Sequence, residues 1–265
     1  MMRKHERFIL TPITQVLEEA QFAMLPLENN IDNYPVFDYI MQSLFLKMTG
    51  FQEQKMKCIS WELATDDYGL RYERYKKSPL GECSSYKDKL TVFQDLVNAL
   101  EKLQPGSSVL TEQQREAVLA ETKNILWNLS KKSPMRGWAE KDISTFNFLF
   151  SKSCKNCVLY VNKGRAGDIL GHCDNCAKKS GVDACPLYKF GTLKNVYEVV
   201  IQHRNRCAHN ISSFQQNLPS LDKLQKNEYV LENYFVRFAL LIVIDKVFVA
   251  LFSKYLELQP ESFQL

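Results

Sequence analysis

Residues 201–210 read "IQHRNRCAHN". Within this stretch, two side chains can act on a phosphodiester. Arg204 is permanently charged, and its planar fork matches a phosphate. His209 titrates near neutral pH and can take or give a proton. Asn205 supplies an amide that can hold the imidazole or the phosphate. His203 and Arg206 add positive charge on either side. A bland account also exists: cations in the last turn of a helix complement its dipole, for about 0.3–1 kcal/mol each. Spacing alone does not decide, because Arg165 and His172 are separated by six residues in a similar way. Arg204 is set apart by its context. The preceding residues place Leu193, Val196, Tyr197, Val200 and Ile201 on one helix face. Four residues beyond Val200 is Arg204, so a guanidinium falls on the apolar stripe and needs a partner there. Cys207 and Ala208 are small and allow close backbone approach, and Asn210 suits the end of a helix.

The second chemical feature is "CKNCVLYVNKGRAGDILGHCDNC". Cys154-x2-Cys157 and Cys173-x2-Cys176 are two knuckles with fifteen residues between them. That spacing lets each turn present two thiolates to one tetrahedral zinc ion. Asn156 and Asn175 each precede the second cysteine of a pair, and Asn tolerates the left-handed backbone a tight knuckle can need. Four unrelated buried thiols would not produce the pairing. His172 or Cys185 could replace one of the four ligands. Four thiolates leave no open position, so the expected role of the metal is structural. Lys163 and Arg165, with Lys155, Lys178 and Lys179, make this segment basic enough to grip a phosphate backbone.

The elements that must position these groups are helical. Ile13, Val16, Leu17 and Ala20 mark a helix from Thr11 to about Leu25. Pro35 is well placed to open a long one, 36–66, with Phe37, Ile40, Met41, Leu44, Met48, Phe51, Met56, Ile59 and Leu63 as its apolar positions. Gly50 is a possible kink. "DDYGLRYERYKK" (66–77) interleaves tyrosines with cations. It could stack bases, but an amphipathic helix end is the favoured reading. Helices follow at 86–103 and 111–129, the second opened by "TEQQ", a capping-box pattern. A short helix, 140–150, leads to the cysteines. Helices at 188–207 and 232–258 close the chain, and the last is apolar almost all round, so it must be central or covered by a partner.

The expected class is therefore all-α, with a small inserted zinc-ribbon-like module. The divisions are 1–150 for the first part of the bundle, 151–187 for the four-cysteine insert and 188–265 for the rest. Composition agrees: 45% hydrophobic residues can build a core, and ten glycines with nine prolines make few turns. Net charge is only +4, yet residues 151–209 hold ten Lys/Arg against four Asp/Glu. All the positive excess thus lies in the segment with both motifs, which suits an anionic partner such as nucleic acid. The run before Thr11-Pro12 is too short for a signal-peptide core. Asp245 and Lys246 interrupt the apolar stretch 236–252, so no membrane span is expected. The expected location is cytoplasmic, where eight cysteines are thiols or metal ligands rather than disulfides.

"RNRCAHN" resembles the signature of the HEPN superfamily, an Arg, often an Asn, then a His after four to six residues. Arg204, Asn205 and His209 match it position by position, and the flanking helices suit a HEPN-like helical bundle. The cysteine module departs from the minimal pattern and reads as an insertion before the motif helix. The size and the long second helix are similar to abortive-infection HEPN proteins of bacterial phage defence. The resemblance implies a metal-independent endoribonuclease, acting on tRNA or other RNA in defence or as a toxin, with an antitoxin or regulatory RNA as a further partner. The expected products are a 2′,3′-cyclic phosphate and a 5′-hydroxyl end.

On a regular helix, residues five apart are rotated by about 140°. One chain could bring Arg204 and His209 together only if the helix ended between them. A twofold homodimer would instead bring two motifs face to face. The resemblance also implies such a composite cleft. Two other readings compete with the nuclease: a non-catalytic RNA-binding module, and a zinc-stabilised helical interaction protein.

Overall fold

The computed structural model describes residues 4–24, 31–107, 110–131, 169, 193–209 and 234–259. In chain order they form α1 (Lys4–Leu10), α2 (Thr14–Met24), a 3₁₀ turn, α3 (Tyr34–Asp66), α4 (Tyr68–Tyr72), a π-helical turn (Glu73–Lys77), α5 (Tyr86–Leu103), α6 (Glu112–Lys131), α7 (Leu193–His209) and α8 (Tyr234–Leu258). No strand occurs among the described residues, as an all-α class requires. The expected helix at 140–150 and the cysteine module at 151–187 lie outside them, apart from the buried Ile169.

α8 is the axis of the bundle. It packs against α3, α5 and α6, and also meets α1 and α7. Sixteen of its 25 residues are buried, on every side of the helix, which is why its sequence shows no polar face. The cover comes from this chain alone. The all-round apolarity of this helix therefore gives no reason to invoke a second protomer. No helix among the described residues is long and apolar enough to cross a membrane.

The charge that interrupts this apolar stretch has a specific use. Asp245 is buried and meets the Lys55 ammonium of α3 at 2.5 Å. Its second oxygen accepts from the Ile13 backbone N–H at 2.9 Å, while Lys55 also donates to the Thr11 carbonyl at 2.6 Å. One ion pair thus ties α3 and α8 to the junction between α1 and α2. Burial pulls the Lys55 ammonium down and pushes the Asp245 carboxyl up, each against the attraction of its partner.

Local signals account for most boundaries. Pro35 sits in the first turn of α3. The Ser85 hydroxyl accepts from Asp88 N–H at 3.0 Å and starts α5. Thr111 and Gln114 form the expected capping box: Gln114 N–H donates to Thr111 Oγ1 at 3.2 Å, and Thr111 N–H donates to Gln114 Oε1 at 2.9 Å. α3 runs through Gly50 as one helix. α1 is an addition to the expected elements. Its seven residues are too few to show a period, and contacts such as Phe8 on Phe51, 4.8 Å between ring centroids, hold it on α3.

Candidate active site at the end of α7

α7 is seated by its apolar face. Tyr197 and Val200 are buried, and the Tyr197 hydroxyl donates to the Ser84 carbonyl at 3.0 Å. The next residue on this stripe is Arg204, and it has the partner its position demands. Its Nη2 meets Oε2 of Glu53, from the middle of α3, at 3.2 Å. Nη1 donates to the Asn205 side-chain oxygen, also at 3.2 Å. The Glu53 side chain is 9% exposed and that of Arg204 is 24% exposed. The guanidinium therefore bridges a buried carboxylate and solvent, with Asn205 on its exposed side.

A buried cation stands against Tyr197 on the same apolar face of α7. The Lys89 ammonium donates to the Cys83 carbonyl at 2.6 Å and sits 5.8 Å from the Tyr197 ring centroid. Burial pulls it down to about 8, with Glu53 resisting that shift and Arg204 reinforcing it. Cys83 itself has φ +59°, a left-handed conformation uncommon outside glycine, and the Lys89 bond to its carbonyl helps hold the loop there. Burial pushes the Cys83 thiol up to about 11 and raises the Cys58 thiol as well, so neither is poised as a nucleophile.

His203 points into a different cluster. Its Nε2 is 3.3 Å from the Tyr234 hydroxyl and 3.4 Å from Cys207 Sγ. Its ring packs on Phe45 and Tyr234, at 5.5 and 5.7 Å between centroids, with the Arg237 guanidinium over the same two rings. His203 thus joins α7 to α3 and α8. Burial pushes the Tyr234 phenol above its usual range.

α7 is helical through His209, so it does not end between Arg204 and His209. Their positions on the helix are about 140° apart within one chain. The side chains of Arg206 and His209 lie outside the described residues, as do Lys163, Arg165, Cys154, Cys157, Cys173, Cys176 and the alternative ligands His172 and Cys185. Among the described residues, no group of three or more His, Cys, Asp or Glu could hold a metal.

The apolar stripe of α7 implies an acid opposite Arg204 without identifying it. Glu53 is 151 residues away, and "FQEQKMK" offers no mark that one of its polar residues faces inward. The phase of α3 was the available hint: Glu53 follows Thr49 by one turn and precedes Met56, and both of these are buried. Chemically, Arg204 is oriented and partly neutralised. Glu53 fixes the fork from below, and the guanidinium keeps N–H donors for an anion arriving from solvent. No family model, curated protein or solved structure matches this chain.

Proposed function

We propose that this protein is a metal-independent endoribonuclease of the HEPN type, cytoplasmic and homodimeric, acting on tRNA or another structured RNA in anti-phage defence or as a toxin. The observation that carries the reading is the Arg204 guanidinium, held by Glu53 and Asn205 yet open to solvent, on the helix whose last residue is His209. In the reaction, an imidazole takes the proton of a ribose 2′-hydroxyl and the 2′-oxygen attacks phosphorus. The 5′-oxygen leaves with a proton returned by an imidazolium, and Arg204 stabilises the charge that builds on the phosphoryl oxygens. The cyclic phosphate and 5′-hydroxyl ends follow from that bond order. Because Arg204 and His209 diverge around one helix, the His209 that serves a given phosphate comes from the opposing protomer.

Cys154, Cys157, Cys173 and Cys176 suit a structural zinc, since four thiolates in two close pairs form a closed tetrahedral set. The ion would fold the module and take no part in the chemistry. The basic residues of that segment, Lys163 and Arg165 among them, would then extend the RNA-binding face, and an antitoxin or regulatory RNA would compete for it.

A second reading is favoured by one specific observation, the Arg204–Glu53 pair itself. A guanidinium on an apolar stripe that finds a buried carboxylate can be an interhelix staple and nothing more. An RNA digest in the presence of a chelator separates the two. The nuclease reading expects 2′,3′-cyclic ends from wild type, and none from His209→Ala or Arg204→Ala when both stay folded. The staple reading expects no cleavage by any of them and a loss of stability in Arg204→Ala only.

A further inference from the structure

The tyrosine- and cation-rich stretch 66–77 is helical, as α4 and the π-helical turn, and amphipathic: Leu70 packs against the core and Arg74 is half-buried, while no residue of either turn is fully buried. Tyr68, Tyr72 and Tyr75 are all exposed, and Trp61 on α3 is 47% exposed. This is a concentration of open aromatic rings that folding alone does not require. The geometry shows that two of them are placed together. Trp61 and Tyr75 meet edge to face, 5.8 Å between centroids at 88°. Edge-to-face contact leaves ring faces free to take a third ring.

The pair is held in place from behind. Ser78 N–H donates to the Glu73 carbonyl at 2.7 Å, five residues back, which makes the turn wider than an α turn. Arg74 then reaches Asp95 of α5 with two bonds, Nε to Oδ2 at 2.6 Å and Nη2 to Oδ1 at 2.8 Å. That bidentate pin anchors the turn to the bundle. The cleft in front of the two rings has a volume of about 420 Å³, within the range of roughly 300–1,000 Å³ typical of small-molecule sites.

Charge selects the occupant. Around the cleft, Glu82 is paired with Lys57 at 2.5 Å, Glu62 with His5 at 3.1 Å and Glu73 with Lys77 at 3.2 Å. Two exposed cations have no acidic partner among the described residues: Arg71, within electrostatic reach of the Tyr75 hydroxyl, and Lys76, 5.9 Å from the Tyr72 ring centroid. Exposed rings beside unpaired cations fit a partner that is flat, aromatic and anionic, and every nucleotide of an unpaired strand has those properties. The cleft also adjoins the Arg204 site. Lys57, which lines the cleft and pairs with Glu82, stands one turn along α3 from Glu53, the partner of Arg204.

We infer that the cleft formed by Trp61 and Tyr75 is a stacking subsite for a base of single-stranded nucleic acid, with Arg71 and Lys76 on the flanking phosphates, leading the strand toward Arg204. Its assignment to an RNA substrate rests on the ribonuclease reading, but stacking itself does not use the 2′-hydroxyl. The test therefore employs a labelled single-stranded DNA oligonucleotide, which that reaction cannot cut, alongside the same sequence in RNA. Binding is read by fluorescence anisotropy at low salt, and folding by circular dichroism. Trp61→Ala and Tyr75→Ala should each weaken binding of both strands by about 5- to 100-fold, while Trp61→Phe, which keeps a ring, should retain most of it. If RNA is never cut but binding shows this ring dependence, the subsite stands and the reaction falls. If RNA is cut and the three variants bind like wild type, the reaction stands and this inference is overturned, the rings then serving a protein partner. Absence of binding to either strand by the folded wild type also overturns it.

Discussion

Glu53, buried in the middle of α3, accepts a hydrogen bond from Arg204 of α7 at 3.2 Å and so joins a buried acid to the "RNRCAHN" motif. The pair has two separable roles, fastening two helices and aiming a guanidinium. Glu53→Gln keeps the size of the side chain and removes the charge. The glutamine oxygen can still accept from Arg204, so the variant loses the charge assistance rather than the bond, and the change should cost about 0.5–2 kcal/mol in urea unfolding. On the nuclease reading, RNA affinity at low salt should hold or rise, because Arg204 is less neutralised, while the cleavage rate falls about tenfold or more. Unchanged cleavage in the folded variant would refute the aiming role.

The Lys55–Asp245 pair makes a prediction about non-additivity. Either Lys55→Met or Asp245→Leu alone leaves a buried charge uncompensated and should cost about 3–5 kcal/mol. The double variant should recover much of that loss, because two desolvation penalties vanish together. A double-mutant cycle by denaturant titration reads this directly. Additive losses would mean the pair is not coupled.

Lys89 predicts a pH dependence. Folded, its ammonium loses its proton near pH 8; unfolded, near the ordinary 10.5. Between those values the unfolded chain binds more protons, so stability rises with pH. The gain from pH 8 to 9 should be about 1 kcal/mol. Above pH 9 the Cys83 thiol opposes it, since the folded state keeps that proton up to about 11 and the unfolded state does not. Lys89→Met should lack the rise, so the gap between wild type and variant shifts in favour of wild type over pH 8–9. A gap that stays flat would show that the ammonium is not desolvated.

Gly50 lies inside α3, and a Cβ built there meets nothing within 4 Å. Its backbone is helical, so its freedom is useful only to the unfolded chain. Gly50→Ala should stabilise the protein by about 0.5–1 kcal/mol, measurable as a higher melting temperature. A loss of stability would point to a bend in α3 that the alanine resists.

Metal analysis tests the cysteine module. The proposed four-thiolate site expects about one zinc per chain, falling well below that in Cys173→Ser. Cys185→Ser should leave the content unchanged. If it lowers the zinc instead, Cys185 belongs to the ligand set.

Most helices were legible in the linear pattern. The bounds of α5 and the start of α6 follow from capping residues and from apolar positions that recur every three or four residues, interactions confined to one or two turns. α8 was legible as a helix, but its surroundings were not, because uniform apolarity says that all faces are covered without saying by what. Tertiary structure decided that the cover is the same chain, that Asp245 answers Lys55, and that Glu53 rather than a neighbouring acid answers Arg204. It also set His203 in an aromatic cluster and left Tyr68, Tyr72 and Tyr75 as exposed rings within 66–77. The reason is common to all of these. Helical periodicity is a property of residues a few positions apart, whereas a charge or ring in the bundle finds its partner across a packing angle that no short window of sequence encodes.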